Sequence, residues 1–268
     1  MTTANWQEAL VKSAAYELAS LLMKPGADFL NTLPDFKKFV AWEDTLVLNA
    51  SLGSIGVDGC YRLRSHYDGR RMSYTVEDIH AIILAVNPDM VIFPEGFLPL
   101  HQPLLQSLPD TVFPFLPLQD ASNIEGFTKA HGVYFSCDES TMALEELLLL
   151  LAQHEAKPSY VAGDLSLPVM LQLLESGVTF VESDRPARDA IDGKVYTEEG
   201  SISLKEDEHV MQFEVIDAHC QCLTCNQKLT RAYLHHLLEH TPLLCQRFLV
   251  QHNAHFCQNA LRRVAPHV

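Results

Sequence analysis

The chain of 268 residues is 47% hydrophobic and 20% charged, a globular composition that excludes disorder and fits one domain, or one domain with an appendage. Its 12 Gly and 14 Pro lie without a period, which excludes collagen-like and low-complexity classes. The net charge of -15, from 19 Lys+Arg against 34 Asp+Glu, argues at face value against a nucleic-acid partner, because phosphate contacts need Lys and Arg.

The first residues, Met1 to Lys12, carry Glu8 and lack the basic-then-apolar order of a signal peptide, so a cytoplasmic location is expected. From residue 45 onward, short apolar runs alternate with helical stretches. Residues 45–48, 89–93, 112–116, 132–135, 159–162 and 178–181 are predicted strands, and 76–86, 141–154 and 167–176 have helical spacing. Thr75 with Asp78 three residues later marks a helix start. Alternation of this kind predicts an α/β fold with a parallel sheet and crossover helices, and the density of strands favours a (β/α) TIM-type barrel over a doubly wound sheet. No apolar run reaches the length of a membrane span; the longest candidate, Leu144 to Ala152, is about half of one and reads as a buried helix, so no membrane association is expected. Residues 198–209 are acidic and are expected to form a solvated hairpin or linker.

Beyond that point the composition changes. From Ala218 to the end there are five basic residues against one acidic, a net +4, and the remainder carries 14 basic against 33 acidic, a net of -19. Seven of the 13 histidines fall in the same stretch, as do Cys220, Cys222, Cys225, Cys245 and Cys257. The expected organisation is therefore a barrel over residues 1–214 and a smaller subdomain over 215–268.

The most chemical segment is His219-Cys220-Gln-Cys222-Leu-Thr-Cys225. Three thiolates within six residues can converge on one ion, and tetrahedral zinc asks for a fourth nitrogen or sulfur. Thr241 and Pro242 read as the N-cap and first position of a helix reaching about Val264. His252 and His255 lie three apart on one face of it, and either closes the site. A disulfide is disfavoured, since a CxC pair is strained and the cysteine count is odd. With four protein ligands the zinc, one per chain, is structural. Cys245 and Cys257 are expected to be buried apolar residues.

The terminal motifs resemble the zinc subdomain of the tRNA-guanine transglycosylase (queuine tRNA-ribosyltransferase) family: Cys220-Gln-Cys222-Leu-Thr-Cys225, then Thr230-Arg231-Ala232-Tyr233-Leu234-His235-His236-Leu237, then His252-Asn253. The resemblance makes His252 the fourth ligand and His235 and His236 packing residues. It extends upstream through Leu22-Met-Lys-Pro-Gly-Ala-Asp28, Phe39-Val-Ala-Trp42, Arg64-Ser-His-Tyr-Asp-Gly69 and Tyr160-Val-Ala-Gly163. The segment from Gly177 to Arg188 stands where the family has G-(I/V)-D-x-F-D-x-x-x-P-T-R. It implies a barrel with a zinc subdomain. The N-terminal part of the family's domain, including its first strand, has no counterpart, so the barrel is expected to be incomplete at its N-terminus.

The family exchanges guanine at the tRNA wobble position for a 7-deazaguanine, on the way to queuosine. Such a pentosyl transfer uses a carboxylate nucleophile, an acid/base and a pocket for the flipped base. The resemblance puts Glu182 at the nucleophile, one methylene longer than the family's Asp, a displacement of more than about 1 Å that costs on the order of 10²-fold unless the pocket is rebuilt. Asn49 stands at the acid/base position and cannot carry the proton, a loss on the order of 10²–10⁴-fold. Gly53 replaces the aromatic that stacks on the base, and Glu95 replaces the aspartate that reads the purine edge. The family's glycine-rich loops give way to Leu118-Gln-Asp120 and Cys137-Asp-Glu-Ser140; of two tRNA-gripping arginines Arg188 is kept, and Ile191 stands at the other.

Glu182 and Glu95 are either a rebuilt carboxylate pair facing each other across the barrel mouth or relict acids, and the number of departures favours relicts. The expectation is a catalytically impaired paralogue or accessory subunit, with tRNA and a homodimeric or heterodimeric transglycosylase partner. Two rivals are an active base-exchange enzyme using Glu182 and a non-tRNA binding or scaffold protein on a retired barrel.

Overall fold

The computed structural model describes residues 1–121, 130–139, 144–153 and 157–265. Its strands are β1 (Ser13–Glu17), β2 (Thr45–Asn49), β3 (Cys60–Arg64), β4 (Arg71–Thr75), β5 (Met90–Ile92), β6 (Phe113–Pro117), β7 (Gly132–Asp138), β8 (Ser159–Asp164), β9 (Phe180–Glu182), β10 (Lys194–Thr197) and β11 (Gly200–Ser203). Seven of them form one sheet in the order β1-β2-β5-β6-β7-β8-β9, and each pairing from β1 to β7 is parallel. Strand–helix alternation in this order is the (β/α) barrel class predicted, with seven sheet strands among the described residues where a complete barrel has eight. No helix among the described residues is long and apolar enough to cross a membrane.

Two compact units share the chain. The sheet unit holds Ser13–Ser136 and Leu149–Val161; the C-terminal unit holds Met1–Lys12, Cys137–Leu148 and Ala162–Val268.

In the sheet unit, β2, β5 and β6 are nearly continuous apolar runs: Leu46, Val47, Leu48, Val91, Ile92, Phe115 and Leu116 are all buried, as parallel strands covered on both faces must be. The helix Val76–Val86 buries Ile79, Ile82 and Ile83. It starts where predicted: Thr75 Oγ1 accepts from the Asp78 amide at 3.2 Å, and the Asp78 carboxylate accepts from the Thr75 amide at 2.9 Å. All six predicted strands exist, with ends moved by one to three residues.

Two elements have no clear sequence signal. Strand β1, Ser-Ala-Ala-Tyr-Glu, is poor in β-formers and is defined by its pairing with β2. The β3–β4 hairpin is joined by the Arg64-to-Gly69 turn, where Ser65 and Arg70 share a backbone hydrogen bond of 2.8 Å. Gly69 closes that turn at φ +72°, a region a side chain disfavours. The predicted helix 141–154 is seen as Leu144–Ala152; Thr141 and His154, like Ser140 of the loop before it, lie outside the described residues.

In the C-terminal unit the helix Pro242–Val264 is the axis. Leu249, Cys245 and Val250 pack with Leu234, Leu237, Ile216, Val195, Leu204 and Ala190. The N-terminal helix Thr3–Glu8 belongs here too: Gln251 donates to the Glu8 carboxylate at 2.6 Å, and Arg262 to the Leu10 carbonyl at 2.8 Å. The expected hairpin is present, with its turn at Glu198–Glu199 between β10 and β11 and a short helical turn Asp207–His209 after it, but the segment is not solvated throughout, since Leu204 and His209 are buried. Thr241 stands at the start of the long helix as predicted but makes no capping bond there; its hydroxyl donates to the Leu237 carbonyl at 3.4 Å and ends the preceding helix.

Candidate metal centre and strand-end residues

Cys220, Cys222 and Cys225 come from a loop and the first turn of the short helix Leu223–Asn226. Cys222 is the N-cap of that turn, its sulfur accepting from the Cys225 amide at 3.3 Å. The His252 Nδ1 lies 3.6, 3.3 and 3.5 Å from the three sulfurs in chain order. A tetrahedral ion with metal–sulfur bonds of about 2.3 Å and a metal–nitrogen bond of about 2.0 Å separates sulfur from nitrogen by about 3.5 Å. The donors therefore fit one tetrahedral ion, and all four atoms lie within 4.8 Å of one another. Such crowding splits the thiols: hydrogen bonds from Cys222 and Cys225 push Cys220 down, and Cys225 goes up in exchange.

The histidine alternative is decided here. His255 Nδ1 is 3.9 Å from the Cys220 sulfur and is engaged by the Asn259 amide at 3.1 Å, so it lies behind the ligand set. His252 is fully buried, and its Nε2–H donates to the Tyr196 carbonyl at 2.8 Å, which leaves Nδ1 bare for an ion. Its neighbour Asn253, also fully buried, accepts from the Tyr196 amide at 3.1 Å and donates to the carbonyls of Pro186 and Lys194 at 3.0 Å each. On the other side, Asp217 accepts from the amides of His219 at 2.8 Å and Glu198 at 3.0 Å, tying the cysteine loop to the β10–β11 turn.

The non-ligand motif has its own work. Thr230 caps the helix Arg231–His240 by accepting from the Tyr233 amide at 3.2 Å. Arg231 straps residues 212–216 to that helix through Gln212, Glu214 and the Ile216 carbonyl. His235 donates to the Leu204 carbonyl at 2.8 Å, a packing role as expected. Cys245 and Cys257 are buried, and burial pushes both thiols up to about 12.

Of the remaining expected residues, Asn49 and Glu182 end strands, Glu95 lies just past one, and Arg188 is helical. In the sheet unit Asn49 closes β2, paired with Ile92 of β5, and Glu95 follows three residues after Ile92, so the two belong to the same end of adjacent strands. Asn49 is buried, with Oδ1 accepting from the Ser51 amide at 3.1 Å and the Ser51 hydroxyl at 2.5 Å. Glu95 is exposed. In the C-terminal unit Glu182 ends β9 half-buried, and Arg188 lies on the following helix Arg185–Ile191.

Arg188 is engaged: it pairs with Asp184 at 2.8 Å and with Asp164 at the end of β8. Arg185 joins the same carboxylate at 3.1 Å and Asp189 at 3.2 Å. The guanidinium of Arg185, then that of Arg188, holds Asp164 below the usual carboxylate range. Sequence reasoning passed over Asp164, Asp217 and Tyr61, and gave Asp120 no role of its own; each has a partner distant in the chain. Only the position of Asp164, directly after Tyr160-Val-Ala-Gly163, is a sequence cue.

A family model for queuine tRNA-ribosyltransferase matches residues 125–268. A protein named queuine tRNA-ribosyltransferase from Desulforamulus reducens is 25% identical over 296 residues, covering 95% of this chain and 79% of that protein. Proteins of the same name from Treponema denticola and Clostridium perfringens strain SM101 are 34% and 39% identical over 122 and 103 residues; those matches cover 45% and 38% of this chain, and 32% and 27% of those proteins. The family model takes in more than half of the chain, including all four metal-site residues, and the chain belongs to the queuine tRNA-ribosyltransferase (tRNA-guanine transglycosylase) family.

Proposed function

We propose that this chain serves queuosine-type tRNA modification as a catalytically impaired transglycosylase paralogue or accessory subunit. The observation that carries this reading is Asn49: the amide standing at the acid/base position has its oxygen taken by two bonds from Ser51 and has no proton to exchange at neutral pH. In the same reading Arg188 faces the tRNA, and Glu95 is the group that reads a purine edge. Residues 215–268 are its zinc-binding helical part and residues 1–214 the barrel part. The ion held by Cys220, Cys222, Cys225 and His252 is one structural zinc, since three sulfurs and one imidazole nitrogen in tetrahedral spacing are its preferred donors and leave no open position.

The partner is a second transglycosylase chain, identical or paralogous, in the cytoplasm. Exposed Met211, Phe213 and Tyr233 support an interface on the C-terminal unit, because the Ala232 amide bonded to the Gln212 carbonyl at 2.8 Å aligns the two segments.

A second reading, active base exchange, is favoured by Glu182, a carboxylate kept at the end of a sheet strand, where barrels place their chemistry. One assay separates the two: incorporation of labelled guanine into unmodified tRNA, by this protein alone and with a complete transglycosylase added. The accessory reading expects no exchange alone and a changed rate in the mixture. Exchange by the protein alone that is lost in Glu182→Gln overturns it.

A further inference from the structure

The peptide group joining Glu95 to Gly96 is held from both sides. Tyr61, on β3, donates its hydroxyl to the Glu95 carbonyl at 3.1 Å, and Asp120, in the turn after β6, accepts the Gly96 amide at 3.0 Å. Because a peptide group is planar, fixing its oxygen and its N–H fixes the whole plane, and with it the position of the Glu95 Cα from which the side chain departs. Gly96 completes the arrangement at φ +75°; a Cβ there would lie 3.1 Å from the Ile55 Cγ2.

The clamp is buried while the residue it carries is exposed: Tyr61 is 0% and Asp120 8% accessible. Burying a carboxylate is costly: burial raises the Asp120 carboxyl, the Gly96 N–H draws it partly back, and the nearby Glu95 charge raises it further. A loop that merely linked β5 to the next helix would need no buried carboxylate. Sites that must recognise a ligand to a fraction of an ångström are held by groups of this kind behind them.

We propose that Tyr61 and Asp120 are positioning residues that aim the Glu95 carboxylate at the edge of a guanine-type base, an inference resting on the reading of Glu95 as the base-recognising acid. Asp120 acts through its acceptor oxygen.

The test is guanine binding to the full chain by calorimetry, with folding checked by circular dichroism and hydrogen exchange followed at the segment containing Gly96. Tyr61→Phe and Asp120→Ala each weaken guanine binding about tenfold, as loss of one buried hydrogen bond does, and both speed exchange at Gly96. Asp120→Asn, which keeps an acceptor, stays near the wild-type affinity. In a Glu95→Gln background Asp120→Ala and Tyr61→Phe cost nothing further, because the clamp acts only through Glu95. Binding that responds to Glu95→Gln but not to Asp120→Ala or Tyr61→Phe overturns the clamp alone. Asp120→Asn as damaging as Asp120→Ala, or losses that add to that of Glu95→Gln, overturns it as well. A wild-type chain that does not bind guanine, or binds it regardless of Glu95, overturns the underlying reading together with the clamp.

Discussion

His252 donates its Nε2–H to the backbone carbonyl of Tyr196 at 2.8 Å, and the next residue, Asn253, receives the amide of the same tyrosine at 3.1 Å. Two consecutive residues of one helix thus hold both backbone groups of one residue of β10. The His-Asn pair is a single device: the first residue turns a nitrogen toward the three sulfurs, and the second fixes the strand that orients it.

Metal analysis of the purified protein is expected to return about one zinc per chain. Cys222→Ser is expected to lose the metal and to aggregate or unfold, since a structural zinc supplies on the order of 10 kcal/mol of folding free energy in small metal-bound units. A folded protein purified without metal would contradict the assignment.

Asn253→Ala leaves the Tyr196 amide and the carbonyls of Pro186 and Lys194 without their partner in a fully buried place. The expected cost is about 3 kcal/mol, read from urea denaturation. Asn253→Asp restores little, because a carboxylate cannot donate to the two carbonyls. A loss below about 1 kcal/mol, in the range of a surface change, would mean that the helix and β10 are held by packing alone.

Gly163 lies against β7 so closely that an added Cβ would come within 1.5 Å of the Cys137 carbonyl oxygen. Neither partner is a flexible side-chain end, so the backbone must move. Gly163→Ala is expected to cost more than about 4 kcal/mol, in the range reserved for severe steric damage, seen as a collapse of the cooperative thermal transition. An unchanged transition would refute this close approach of β7 and β8.

Asp164 has a depressed pKa, so the stabilisation from its arginine pairs is present above the ordinary value of 3.8 and is lost as pH falls through the lower folded value. The difference in unfolding temperature between wild type and Asp164→Asn should hold steady well above the ordinary carboxylate value of 3.8 and shrink as pH falls below it. The same substitution removes one of the carboxylate partners of Arg188 and of Arg185, leaving them Asp184 and Asp189. If Arg188 faces tRNA, Asp164→Asn tightens tRNA binding at low salt and steepens its salt dependence by roughly one phosphate contact. Gel shifts across a salt series check this, and an unchanged slope removes Arg188 from the tRNA path.

The fold class was legible because buried parallel strands leave an undisguised sign: residues 45–48, 112–116 and 159–162 are apolar runs that a solvated strand could not carry. The metal site was legible for a similar reason, as three cysteines within six residues have few other uses in a chain with an odd cysteine count. Helical spacing put His252 and His255 on one face and could not choose between them; the resemblance named His252. The three-dimensional choice was made by Tyr196, which takes Nε2 of one ring, and by Asn259, which engages Nδ1 of the other.

The same limit held at the strand ends. The sequence by itself determined the alternating strands and helices and the three cysteines with two eligible histidines. Only tertiary structure decided that β1 exists, that Arg188 is already paired with two aspartates, and that Tyr61 and Asp120 meet at one peptide group. Periodicity and ligand spacing are properties of neighbours in the chain. A hydrogen bond between Tyr61 and Glu95, or an ion pair between Asp164 and Arg188, joins residues whose separation in the chain carries no local signal.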